Sequence, residues 1–128
     1  MSKRFLRAVV LITGLITALV HLVVLNITMI QTKGSPDLLF TLNGLGYLGL
    51  LALFFMEPEF LAEQWDFFHY VFMAFAAVTI VAFLLLGGTG FGGTQVDPVG
   101  WLTKLDELIL IIALWLHSRK SPAPTSAS

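Results

Sequence analysis

The chain has 128 residues, 57% of them hydrophobic and 12% charged, with a formal net charge of −1 and no cysteine, and its mean hydropathy is +0.89. So little charge cannot cover the surface of a soluble domain of this length. Without cysteine, disulfides, thiolate metal sites and thiol redox chemistry are excluded, and no basic cluster points to nucleic acid.

In chain order, the first apolar run covers residues 8–30, behind the basic start Lys3, Arg4 and Arg7. It is longer than the apolar part of a signal peptide and has no A-x-A-like site after it, so it is expected to stay as a membrane span. The loop QTKGSPD follows, with Asp37 placed to cap a second span over 38–55. The connector MEPEFLAEQWD is acidic, and its Pro58 suits the first turn of a short interfacial helix. Trp65, Phe67 and Phe68 form an aromatic belt at the start of a third span, 67–86. A glycine-rich loop, GGTGFGGTQVDPVG, leads into a fourth span, 99–117, and the polar tail 121–128 reads as disordered. Gly88, Gly90 and Gly93 match a dinucleotide-binding spacing, but that motif needs a strand before it and a helix after it; here the glycines are expected to serve a turn.

The expected fold is all-α: a four-helix transmembrane bundle, up-down-up-down, in a single membrane domain over residues 1–120. Lys3, Arg4 and Arg7 precede the first span, and Arg119 and Lys120 follow the last. The positive-inside rule therefore puts both termini in the cytoplasm and the protein in the cytoplasmic membrane.

A polar side chain in lipid needs a partner, a cavity or a place near the interface. Counting about 1.5 Å per residue from the loop ends puts His21, Asn43 and Glu107 in one layer. Gly14, Thr17, Ala18, His21 and Thr28 share a helical stripe on the first span, and Asn43, Gly46 and Leu50 share one on the second. On the fourth span Lys104 and Glu107 lie i, i+3, close enough to pair, although Lys104 is also long enough to snorkel outwards. Asp106 points elsewhere and is left for a neighbouring helix, a water or a partner protein. The layer reads first as a structural network that fixes helix register. The sharper alternative is a site for protons or a small ligand, with Glu107 and His21 exchanging.

A second pair, His69 and His117, falls at similar depth near the other end. Two histidines on facing helices are what a b-type haem requires, and the competing reading is two ordinary interfacial histidines. No nucleophile–base pair, phosphate loop or closed metal set is visible, so no enzyme, catalytic residue or metal site is expected.

The basic start, the His-bearing first helix, LNGLGYLGLLALFF and the Gly-rich loop running into VGWLTKLDELILI resemble small four-span proteins of unknown function from bacterial and archaeal membranes. The resemblance covers nearly the whole chain and carries over no catalytic residue. Small multidrug transporters share the length and span number, but their membrane acid sits in the first helix, and this first helix has no Asp or Glu. The expected function is a small accessory subunit of a larger membrane complex, respiratory or photosynthetic, in contact with lipid and larger subunits, with a homo-oligomer open. The alternative is an independent carrier or binder of protons, a small ligand or haem.

Overall fold

The computed structural model describes residues 1–120; the tail 121–128 lies outside the described residues. Among the described residues there are four long helices: α1 Lys3–Lys33, α2 Leu38–Met56, α3 Trp65–Leu86 and α4 Pro98–Ser118. Each of three starts has a cap that a side chain supplies. Ser2, Asp37 and Asp97 accept from the amides of Phe5, Phe40 and Gly100 at 3.1, 2.9 and 3.1 Å, occupying donors that a helix start leaves unpaired. Pro98, with no amide hydrogen to lose, takes the first turn of α4. Gly34 ends α1 in the left-handed region at φ 81°. A short 3-10 helix, Glu59–Gln64, links α2 to α3, and the glycine-rich loop turns on Gly90 and Gly93, each at φ 85°.

α1, α2 and the segment Glu59–Leu86 that contains α3 are long and apolar enough to cross a membrane. α4 matches them in length at 21 residues, and its apolar run carries Lys104, Asp106 and Glu107. The outer surfaces of all four helices are studded with exposed aliphatic side chains such as Leu45, Val78 and Leu102.

α4 packs along both α1 and α3, and α1 also packs along α2. The α1–α2 approach depends on glycine. A Cβ on Gly44 would sit 3.0 Å from the backbone oxygen of Ala18 and 2.4 Å from Leu22, and one on Gly14 would sit 2.6 Å from Leu51. Small residues at such points let helix backbones close up. α2 and α3 meet instead through rings: Tyr47 lies edge-on to Phe75 at 4.9 Å, and Phe54 stacks on Trp65 at 6.0 Å. At the same end as Phe54, Arg7 of α1 pairs with Glu57 beyond α2 at 2.5 Å and lies over the Phe55 ring at 4.8 Å. Glu57 ends α2 in the left-handed conformation, φ 46°, which a non-glycine residue adopts at a cost.

α1 departs from the expected stripe partway along. Residues Val20–Val24 form a π turn, where the amide of Leu25 reaches the carbonyl of Val20. One extra residue in the turn rotates everything beyond it by about 100° relative to a straight α-helix. Thr28, expected on the inner face, is therefore exposed, and Asn26 is buried in its stead. Asn26 then ties α1 to α2: its amide donates to Thr41 at 3.0 Å and its oxygen accepts from the amide of Asp37 at 2.8 Å.

Candidate functional site: a buried carboxylate shared by four helices

Glu107 is fully buried at mid-bundle. Oε1 accepts from Lys104 Nζ at 2.6 Å and from Thr17 Oγ1 at 3.2 Å. Oε2 accepts from the Tyr47 hydroxyl at 3.0 Å and from Thr79 Oγ1. The donors come from α1 (Thr17), α2 (Tyr47), α3 (Thr79) and α4 itself (Lys104). An ionised carboxylate offers about four lone-pair positions, and a hydroxyl or ammonium group from each of the four helices faces them; the single hydrogen of Thr79 is shared between Glu107 and the Ala76 carbonyl, 2.8 Å away. Tyr47 and Thr79 also touch each other, oxygen to oxygen, at 2.9 Å, so α2 and α3 are joined here by polar contact as well as by rings.

Lys104 does not run out to the interface. It is 9% exposed, with Nζ turned onto Glu107 and lying 5.7 Å from the Phe83 ring centre. A buried charge is tolerated where an opposite charge and further hydrogen bonds compensate it, and Glu107 supplies both.

His21 joins the cluster at one remove. Its Nδ1 donates to the Thr17 carbonyl at 2.8 Å and lies 3.3 Å from Thr17 Oγ1, which in turn donates to Glu107. Asn43 is not part of it. The buried stripe of α2 is Gly44, Tyr47, Leu51 and Phe54, rather than the expected Asn43, Gly46 and Leu50. The close approach of Gly44 to Ala18 fixes that rotation, which leaves Asn43 on the flank with its Oδ1 buried and unpartnered. Tyr47, one turn further along, reaches the carboxylate instead.

Thr17, Tyr47 and Thr79 are the site residues that charge-based reading passes over. A signal was present in Tyr47 and Thr79, hydroxyls in long apolar runs, because a buried hydroxyl must find a partner. Asp106 lies two residues from Lys104, on the opposite flank of α4, and its buried Oδ2 has no hydrogen-bond partner.

The second histidine pair is in direct contact. His69 Nε2 and His117 Nδ1 are 2.8 Å apart, with the rings nearly parallel at 16° and 5.1 Å between centres. Both are buried, 1% and 3% exposed. His69 Nδ1 donates to the Trp65 carbonyl at 2.8 Å, so its Nε2 is the acceptor and His117 Nδ1 carries the hydrogen between them. His117 Nε2 is then a bare lone pair, buried without a partner. A haem held between two histidines needs its iron and porphyrin between these nitrogens, and here the nitrogens meet each other. Among the described residues no group of three or more His, Asp or Glu side chains could hold a metal ion.

No curated protein and no solved structure matches the chain. Residues 1–117 match a family of unknown function, DUF7475. That match spans all four helices up to His117, the site residues included, and the chain belongs to this family.

Proposed function

We propose that the protein is a four-span, up-down-up-down subunit of the cytoplasmic membrane with both termini in the cytoplasm, and that it serves a larger membrane complex, respiratory or photosynthetic, as an accessory component. α4 is the fourth span. Its 21 residues cover about 31 Å, close to the thickness of a hydrocarbon core. Two of its three charges neutralise each other inside the bundle. The orientation rests on the basic residues at the two chain ends.

The observation that carries the accessory reading is the convergence of all four helices on Glu107. A carboxylate faced by a polar side chain from each helix is suited to holding four helices in register. The described residues lie almost entirely in the helices and expose an apolar surface, which the bundle can offer to other chains. The competing reading, a proton carrier, draws on the continuous path from His21 through Thr17 to Glu107. Reconstitution of the purified chain in vesicles with an internal pH-sensitive dye separates the two. The accessory reading expects a proton flux no greater than that of empty vesicles, and a flux that Glu107→Gln abolishes would replace it with the carrier.

A further inference from the structure

The interior of the bundle differs on the two sides of Glu107. Towards the end where α1 begins, it is filled by Val10, Phe72, Leu110 and Leu114, each 0% exposed. Thr13 lies in the same stretch, and its hydroxyl is spent on the Val9 carbonyl at 2.7 Å. Polar groups return only at His69 and His117, and along α4 the way from Glu107 to His117 is about 15 Å. Among the described residues nothing on that way offers the polar partners that a water needs. Towards the other end, where the loops turn on Gly34 and Gly90, the interior holds Lys104, Thr103, His21 and Asn26. Phe40 and Phe83 face inwards there, Phe40 with its ring 6.3 Å from that of His21 and Phe83 over Gly100. Both are nonetheless only half-buried, as is Asn43, whose Nδ2 is neither bonded nor covered.

His21 stands at the foot of this opening. Its Nδ1 donates to the Thr17 carbonyl, so Nε2 carries the lone pair. Among the described residues Nε2 has no partner, and unlike Nε2 of His117 it is not fully covered. We infer that His21 is a proton-binding site open to water from the Gly34/Gly90 end alone. An acid in that water gives its proton to Nε2 and is left as its conjugate base; the ring becomes an imidazolium and keeps its Nδ1 hydrogen on the Thr17 carbonyl. Lys104 and Glu107 of α4 act on the ring, and Tyr47 of α2 lies 6.1 Å from it. α3 presents Thr79 and Phe83 to this layer, neither of them charged. The bound charge reaches the four-helix junction through Thr17, whose hydroxyl lies 3.3 Å from Nδ1 and donates to Glu107 at 3.2 Å. The junction thus responds to the acidity of one compartment and passes no proton to the other. This goes beyond the accessory reading and does not depend on it.

The chain has no cysteine, so single cysteines report water access without background. His21→Cys, Asn43→Cys and the buried Ala113→Cys are exposed to a charged, membrane-impermeant thiol reagent in right-side-out and in inside-out vesicles. Lys33→Cys and Glu59→Cys, both at exposed positions, mark the two sides. The expected result is that His21→Cys and Asn43→Cys react from the Lys33 side only and Ala113→Cys from neither. Asn43 makes no bond within the described chain, so Asn43→Cys carries the access test should His21→Cys fail to fold. In nitrogen NMR of the wild-type protein in nanodiscs, Nε2 of His21, assigned by its loss in His21→Gln, should gain a hydrogen between about pH 8 and about pH 5. Inert cysteines at the mouth, reaction from the Glu59 side, modification of Ala113→Cys, or an Nε2 that stays bare across that range would each overturn the inference. A chain that migrates alone from native membranes overturns the accessory reading and leaves this inference standing.

Discussion

The hydroxyl of Tyr47 on α2 lies 3.0 Å from the carboxylate of Glu107 on α4, across the centre of a bundle whose α2 and α3 are joined mainly by side chains. Tyr47 is fully buried, and its ring packs on Phe75 while its oxygen reaches the acid. One side chain thus performs the apolar and the polar half of the α2 attachment.

Tyr47→Phe keeps the ring and removes the oxygen. It should lower the stability of the isolated bundle by about 1 kcal/mol, the usual scale of one hydrogen bond and at the upper side for one in a membrane protein. Thermal melting in detergent reads the change. Tyr47→Leu, which also loses the ring contacts, should cost more, and equal effects would mean that the hydroxyl contributes nothing.

The ion pair gives a double-mutant cycle. Glu107→Gln leaves Lys104 buried without its counter-charge, and Lys104→Met leaves Glu107 in the same state; each should cost about 3 kcal/mol. The double variant carries neither charge and should cost clearly less than the sum of the two. Additive losses, measured by denaturant or thermal unfolding in the same detergent, would mean that the 2.6 Å contact is not energetically coupled.

Gly44 and Gly49 make opposite predictions one helical turn and a residue apart. At Gly44 a side chain would meet the backbone of Ala18, which cannot turn aside, so Gly44→Val should destabilise by about 1–3 kcal/mol through forced separation of α1 and α2. At Gly49 nothing lies within 4 Å of an added Cβ. Gly49→Ala should be neutral or stabilise by up to about 1 kcal/mol through helix propensity alone. Melting of the two variants side by side checks both.

The histidine pair fixes two tautomers. Nitrogen NMR of the labelled protein should show both His69 and His117 carrying the hydrogen on Nδ1, because the Trp65 carbonyl orients the first ring and the first ring orients the second. His69→Ala removes the acceptor of His117 and should change the His117 ring signals. A hydrogen on Nε2 of His69 would contradict the assigned chain.

Much of the helical layout was legible because long apolar runs interrupted by Gly, Pro and capping Asp leave few alternatives in either composition or length. The i, i+3 spacing made a pairing of Lys104 with Glu107 one of two legible options, beside snorkelling of Lys104 to the interface, and spacing within one helix could not choose between them. Helix rotation was not legible. Asn43 was expected inside because a polar residue in an apolar run attracts attention, but the glycine at position 44 sets which face of α2 meets α1, and that places Tyr47 at the acid. The exchange of Thr28 for Asn26 has a different cause: the π turn at Val20–Val24 shifts the phase of α1, and a count based on a uniform helix cannot contain it. The hydroxyl of Thr17 passed as part of a packing stripe, and that of Thr79 was not singled out, because the role of each depends on an acid from another helix.

The most direct test of an accessory subunit is gentle-detergent extraction from native membranes, followed by size separation and mass spectrometry of the fraction that contains the chain. The account predicts migration in a large particle with other membrane subunits at a fixed ratio. Migration as a small particle containing this chain alone would contradict it.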